Sequence, residues 1–238
     1  MKGTAVLLAA GVAAYWWWRY RGPGRSSSIP GRGGRITGAG ASADAHAREL
    51  RTPLVRLATA AGIPTRAEAR AKRFKIGAVG ERYVAKLLEP LIREGWVFFA
   101  DCALPRSKAN VDILAISPRG LVLVVDPKKW GRSRLTVRNK RLMHGRKDVS
   151  GRLGGLDYEA RTVSSLLRVP VVPVAAMVGP MIPGTILRFR GIRLVPADDV
   201  PELLRALDRK HQPTVPAAQL VDAARRLLPP KTGRKTVR

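Results

Sequence analysis

The sequence predicts an α/β fold organised around one apolar hairpin, and three observations carry that prediction. Residues 111–116 and 121–126 are apolar, β-branched runs joined by Pro118-Arg119-Gly120, the pattern of two strands and a tight turn. A long stretch from Pro64-Thr65 to about Glu94 precedes them and carries apolar residues at helical spacing. Residues 171–178 form a near-continuous apolar run after a second helical stretch and read as a buried strand.

The composition bounds the partners. The 238 residues suffice for one sizeable domain plus extensions, and 45% are hydrophobic, so a real core can form. There are 44 Lys and Arg against 17 Asp and Glu, a net charge of +27, which favours polyanions such as nucleic acid or anionic lipid. The single cysteine, Cys102, excludes an internal disulfide framework and a cysteine zinc cluster. His46, His144 and His211 lie far apart without ligand spacing and read as surface or packing residues.

In chain order, residues 3–18 carry no charge, and Arg19, Arg21 and Arg25 follow them. The span falls just short of the roughly 17–25 residues that cross a bilayer as a helix. Tyr15 to Trp18 and Tyr20 suit the headgroup level, and the arginines favour a cytoplasmic side. Residues 1–21 therefore read as an N-terminal membrane-anchor helix, with an interfacial helix and a cleaved signal peptide as rival readings. Residues 22–42 are rich in Gly, Ser and Arg and read as a flexible linker. The main domain is expected over 43–230 and a basic tail over 231–238.

Within that domain, a helical stretch at 43–61 is interrupted by Pro53. In the next helix Ile76, Tyr83, Leu87 and Leu91 share one face with Val84 and Leu88. Gly77 and Gly80 cost helix stability, which a close backbone approach would explain. Glu81 borders the apolar face; taken on the helix alone it reads as a solvated glutamate. Gly95 ends the helix, 96–101 reads as the first strand, and 105–110 as a basic loop. After the hairpin come Trp130-Gly131 and a polar strand at 134–138. Residues 139–152 hold several turn formers and Lys140, Arg141, Arg146, Lys147 and Arg152. They read as a mobile basic loop suited to phosphate contact, or simply as a solvated one. Helices are expected at 156–167, 198–208 and 217–228, and a short strand at 191–195. Glu159 is a candidate fourth acid of the site but reads first as a surface residue.

The hairpin itself carries the chemistry. A three-residue loop of type I turn plus left-handed residue suits Pro118-Arg119-Gly120 and pairs Ser117 with Leu121. That register puts Asp112 opposite Asp126, two like charges that destabilise a ladder unless a counter-charge is near. Lys128, two residues beyond Asp126, projects from the same face. A divalent ion on the carboxylates with the lysine beside it fits this geometry, and so does a strand-end salt bridge. On pattern alone both readings stand.

The ordered set Gly77-Ala78-Val79-Gly80-Glu81, Asn110-Val111-Asp112, Pro118-Arg119-Gly120 and Val125-Asp126-Pro127-Lys128-Lys129-Trp130-Gly131 resembles the nuclease-related domain (NERD) family of the restriction-endonuclease-like PD-(D/E)XK superfamily. The likeness covers about 70–135 well and continues loosely through 156–167 and 171–178. It implies a mixed β-sheet flanked by helices, with Glu81, Asp112 and Asp126 as ligands of Mg²⁺ or Mn²⁺. It also implies that Lys128 acts on the attacking water and the phosphate. Glu81, Asp112, Asp126 and Lys128 are thus the expected catalytic residues. Lys129 and the cations of 139–152 are the expected nucleic-acid contacts. The family often carries histidine after the hairpin aspartate, where this chain has Ile113. The function expected is metal-dependent hydrolysis of DNA phosphodiesters by a membrane-tethered, cytoplasmic domain. The alternatives are a non-catalytic nucleic-acid-binding module and a membrane-associated interaction protein.

Overall fold

The computed structural model describes residues 35–231. The hydrophobic stretch 3–18, most of the expected linker and residues 232–238 lie outside them. Among the described residues no helix is long and apolar enough to cross a membrane.

Two short helices open the fold, α1 (Ala41–Leu50) and α2 (Pro53–Ala60). Pro53 separates them by starting the second: it sits in the first turn, where its missing N–H costs nothing, and Thr52 caps that turn. The long helix α3 (Arg66–Ile92) begins at Thr65, whose hydroxyl accepts the Glu68 N–H at 3.1 Å. Its buried stripe is Ala71, Ala78, Glu81, Val84, Leu88 and Leu91, spaced by three, four or seven residues. Ile76 is not on that stripe; it is 42% exposed, because the stripe passes through Ala78 and Glu81 instead. Gly95 adopts the left-handed conformation that stops the helix, and the Trp96 N–H returns to the Leu91 carbonyl at 3.1 Å.

The strands β1 (Val97–Ala103), β2 (Asn110–Ile116) and β3 (Val122–Lys129) form an antiparallel meander. A small three-stranded sheet follows: β4 (Leu135–Arg138), β5 (Arg141–His144) and β6 (Lys147–Asp148). A single 3₁₀ turn leads into α4 (Gly154–Leu167), and β7 (Val171–Val178) then enters the main sheet parallel to β3. The chain closes with β8 (Leu187–Phe189), β9 (Ile192–Pro196), α5 (Val200–Lys210) and α6 (Ala217–Leu227). The main sheet is mixed, in the order β1-β2-β3-β7-β9-β8.

Each face of that sheet has its own core. On one side Val84, Leu88 and Leu91 of α3 and Val200, Leu203 and Leu204 of α5 cover Ile113, Leu123, Val125 and Val174. On the other, Leu156, Val163 and Leu167 of α4 and Leu220, Val221 and Ala224 of α6 cover Leu114, Ile116, Val122, Val124 and Met177. Each fully buried aliphatic side chain contributes about 1.5–3 kcal/mol of transfer free energy, so the two helical layers fix the sheet that carries the acids.

The hairpin register is the one its turn length dictates. Ile113 pairs with Val125 and Ile116 with Val122, and the Ser117 N–H bonds to the Leu121 carbonyl at 2.9 Å. Gly120, at φ 80°, closes the turn. The strand expected at 134–138 is β4, but residues 139–152 are not the expected loop: they hold β5, β6 and the start of the 3₁₀ turn. Arg138 pairs with Arg141 across Asn139 and Lys140, both left-handed, and His144 pairs with Lys147. Leu135, Leu142, Val149 and Leu153 from this region are buried in the main core, which holds the meander on the body. The last residues of the expected linker also pack: Gly40 and Ser42 are buried, and Ile36 and Ala39 rest on the core.

Candidate functional site

Asp126 occupies the strand next to the sheet's change of direction, between antiparallel β2 and parallel β7, where it pairs with Ala175. Continuing the β2–β3 register one step beyond Ile113 and Val125 puts Asp112 opposite it. Asp126 is 2% exposed, so two like charges meet in a nearly dry place. Lys128 supplies the counter-charge from the same side of β3, its Nζ 2.5 Å from Asp126 Oδ2. Asp126 Oδ1 is buried and has no hydrogen-bond partner. Ile113, one residue from Asp112, is buried in the apolar layer under α3 and α5.

Two more acids reach this patch from helices. Glu81 of α3 is 8% exposed rather than solvated, because it belongs to the buried stripe of its helix. Its Oε2 accepts the Gly40 N–H at 2.8 Å. Gly40 is left-handed, and a Cβ there would lie 3.0 Å from the Ala78 carbonyl, so only glycine lets this segment close on α3. The close approach expected at Gly77 and Gly80 is not made there. A Cβ on Gly80 would meet Lys129 Cβ at an ordinary 3.6 Å, and one on Gly77 only Glu81 itself at 4.0 Å. Glu159 of α4 is likewise not a surface residue: it is half-buried, and its Oε2 is buried without a partner.

The electrostatics follow from burial and crowding. Loss of water raises the Glu81 carboxyl to about 7, with the Gly40 N–H opposing and the charges of Asp101 and Asp126 adding to the rise. Burial, then the charge of Asp126, lifts Glu159 to about 8, with Lys128 and Lys231 opposing. Asp112 is held well above the usual carboxylate range by burial and by the charges of Asp126, Glu81 and Glu159. Lys128 would lose its proton more easily through burial alone, yet Asp126, by charge and hydrogen bond, holds it above its ordinary value.

Asp101 and Asn110 were not among the expected site residues. Asp101 is 2% exposed, sits at φ 53°, and stands in register opposite Asp112. It reverses the facing of β1: Phe98 belongs to the core under α3 and Cys102, an even step on, to the core under α4 and α6. The visible signal was an acid at the end of an otherwise apolar strand. Asn110 donates from Nδ2 to Asp101 Oδ1 at 3.0 Å and to Asp112 Oδ1 at 3.2 Å. Its position just before Val111-Asp112 was legible, its role was not. Cys102 beside Asp101 is pushed up to about 12 by burial and by that charge, an inert thiol.

The expected cationic contacts separate from the acids. Lys129 is exposed and turns to the opposite side of β3 from Lys128, toward Gly80 of α3. Lys140, Arg141, Arg146, Lys147 and Arg152 are all exposed on the small sheet and its 3₁₀ turn. The Arg152 guanidinium lies 5.4 Å from the ring centre of Trp130, and His144 bonds to the Gly131 carbonyl at 2.9 Å. Trp130-Gly131 thus joins the acidic strand to the basic sheet.

The donor set is all carboxylate, which suits a hard divalent cation. Asp126 Oδ1 and Glu159 Oε2 are each buried without a hydrogen-bond partner, which is costly for an acceptor and which a cation would relieve. Among the described residues, however, no three or more His, Cys, Asp or Glu side chains are gathered tightly enough to enclose an ion. Lys128 takes one of the Asp126 oxygens instead.

Residues 76–178 match the family model of the nuclease-related domain, NERD, whose general kind of fold is PD-(D/E)XK. The matched span contains Glu81, Asp112, Asp126, Lys128, Glu159 and every cation of the small sheet, and leaves out residues 35–75 and 179–231. No curated protein and no solved structure matches the chain.

Proposed function

We propose that this chain, whose residues 76–178 match the nuclease-related domain, hydrolyses phosphodiester bonds of DNA with a divalent cation. One observation carries the reading: Asp126 is paired with Lys128 where the sheet changes direction, the charges of Asp112 and Glu159 also act on that lysine, and Glu81 adds its charge to that of Asp112. So many acids in a site nearly free of water oppose folding unless a positive ligand meets them.

Asp112 and Asp126, with Glu81 or Glu159 as a third donor, would hold Mg²⁺ or Mn²⁺. Such an ion neutralises phosphate charge and makes bound water more acidic. Lys128 remains protonated beside Asp126 and directs its ammonium at the same patch, where it can steady charge that develops on a phosphate oxygen. A carboxyl raised to about 7 or 8 exchanges its proton near neutral pH, so Glu81 and Glu159 are suited to take up or release one. Lys140, Arg141, Arg146, Lys147 and Arg152 would bind backbone phosphates without reading sequence. The uncharged stretch 3–18 would tether the domain to a membrane, with Arg19 and Arg21 on the cytoplasmic side.

The test is cleavage of duplex DNA by the full chain with Mg²⁺ or Mn²⁺ against a chelator, alongside Asp126→Ala. Cleavage that needs the metal and disappears in the variant is expected; metal-independent cleavage, or equal rates in the variant, overturns the assignment. A second reading, a non-catalytic nucleic-acid-binding module, is favoured by one feature. Lys128 already neutralises Asp126, as a permanent salt bridge would. It predicts DNA binding with no cleavage under any divalent cation.

A further inference from the structure

The acidic patch is braced by residues from both ends of the described chain, all outside the matched segment. In the first turn of α1, Ser42 donates twice to Asp101, from its backbone N–H to Oδ2 at 2.9 Å and from Oγ to Oδ1 at 2.6 Å. Asp101 needs that support because its carboxylate is buried beside other acids. After α6, the chain is pinned to β1 by the Ala103 N–H bonding to the Pro229 carbonyl at 2.7 Å. Lys231 then reaches back, its Nζ donating to the Lys108 carbonyl at 2.8 Å and to Asn110 Oδ1 at 3.0 Å.

The chemistry of those partners decides which way the Asn110 amide faces. An ammonium only donates, so the amide oxygen must turn toward Lys231. Nδ2 is left to face Asp101 Oδ1 at 3.0 Å and Asp112 Oδ1 at 3.2 Å. Asp101, Asp112 and Lys231 thus all favour the same facing of the amide, and without Lys231 the Oδ1 end loses the ammonium that pins it.

We propose that Lys231 and Ser42 are positioning residues of the acidic site. Lys231 orients the Asn110 amide, Ser42 anchors Asp101 beside it, and together they fix the carboxyl plane of Asp112. This rests on the reading of Asp112 and Asp126 as a cation site. Lys231 touches no reacting group in this role; it acts through Asn110. A family match that ends at residue 178 does not reach it.

The experiment uses the full chain with Lys231→Met, Lys231→Arg, Ser42→Ala and, as a control, Asp126→Ala. It reads the Mn²⁺ dissociation constant, kcat and KM on a duplex oligonucleotide, and the melting temperature. Loss of a residue that orients a ligand weakens metal affinity or activity about 10–100-fold. Lys231→Met should therefore weaken Mn²⁺ binding and kcat about tenfold, leave KM for DNA unchanged, and recover with arginine. Ser42→Ala should move the same two quantities in the same direction and serves if Lys231→Met fails to fold. Parental Mn²⁺ affinity and kcat in Lys231→Met and Ser42→Ala would overturn the proposal, as would a change confined to KM, which marks a phosphate contact. If Asp126→Ala also keeps Mn²⁺ affinity and cleavage, or the parent shows neither, the cation-site reading itself fails.

Discussion

Glu159 is the residue whose surroundings make the sharpest demand. Its carboxyl titrates near 8 in the folded chain against an ordinary value of 4.5. A raised carboxyl means that the folded state keeps a proton the unfolded state gives up. Below about pH 4.5 both states hold the proton and there is no cost; between about 4.5 and 8 the folded state is progressively penalised, fully so above that range. Glu159→Gln should therefore match the parent at about pH 4 and exceed it by a few kcal/mol at about pH 9 in metal-free buffer. Urea midpoints at the two pH values measure this, and a constant difference would rule out the burial assigned to this acid. Glu81, at about 7, should behave alike over a narrower window. Asp126→Ala should keep the fold, since it removes one of the crowded charges and leaves Lys128 near Asp112 and Glu159.

Among the elements, the hairpin and the small sheet have separate duties. The turn at Gly120 is fixed from outside as well as within, because a Cβ there would lie 2.6 Å from the Val215 carbonyl ahead of α6. Gly120→Ala must displace that segment or strain a left-handed turn, and should cost about 1–3 kcal/mol. Chemical denaturation of the variant checks it, and a parental midpoint would contradict the close approach. The β4–β5–β6 meander exposes its cations and buries Leu135 and Leu142. Replacing Arg146 and Lys147 with glutamine should weaken DNA binding alike for unrelated sequences and flatten its salt dependence, because each lost phosphate contact removes about one released counterion. Binding titrations across a salt series decide this; a change in base preference would show that the meander reads sequence.

At the scale of the whole molecule, a net charge of +27 surrounds a small acidic patch. The field attracts a polyanion, and the patch is where a divalent cation would let one approach. A ligand that binds only the folded state stabilises it by about 2.7 kcal/mol at a hundredfold excess over its dissociation constant. Mn²⁺ or Mg²⁺ should therefore raise the melting temperature, less so in Asp112→Asn. Calorimetry with and without chelator measures this, and an unmoved transition at millimolar metal would favour the Asp126–Lys128 salt bridge as the permanent state.

By itself the sequence determined what short range can determine. A three-residue turn and a period of two set the hairpin register, so Ser117 meets Leu121, and Asp126 and Lys128 share a side. Helical spacing picked out Val84, Leu88 and Leu91 of the buried stripe of α3, though not Ala71, Ala78 or Glu81, and the run 171–178 gave β7. Of the small sheet only β4, within the strand expected at 134–138, was legible; β5 and β6 were missed because the turns Asn139-Lys140 and Gly145-Arg146 lack the usual glycine pair and both strands are short and charged. Only tertiary structure decided that Glu81 and Glu159 turn inward, since a helix does not reveal which charged residue its neighbours will cover. Packing alone likewise brought Ser42, Asp101, Asn110 and Lys231 together, across as many as 121 residues between Asn110 and Lys231. A hydrogen bond of that separation leaves no periodicity in the chain. It exists because the two apolar layers bring both ends of the described chain back to the strand that carries Asp112.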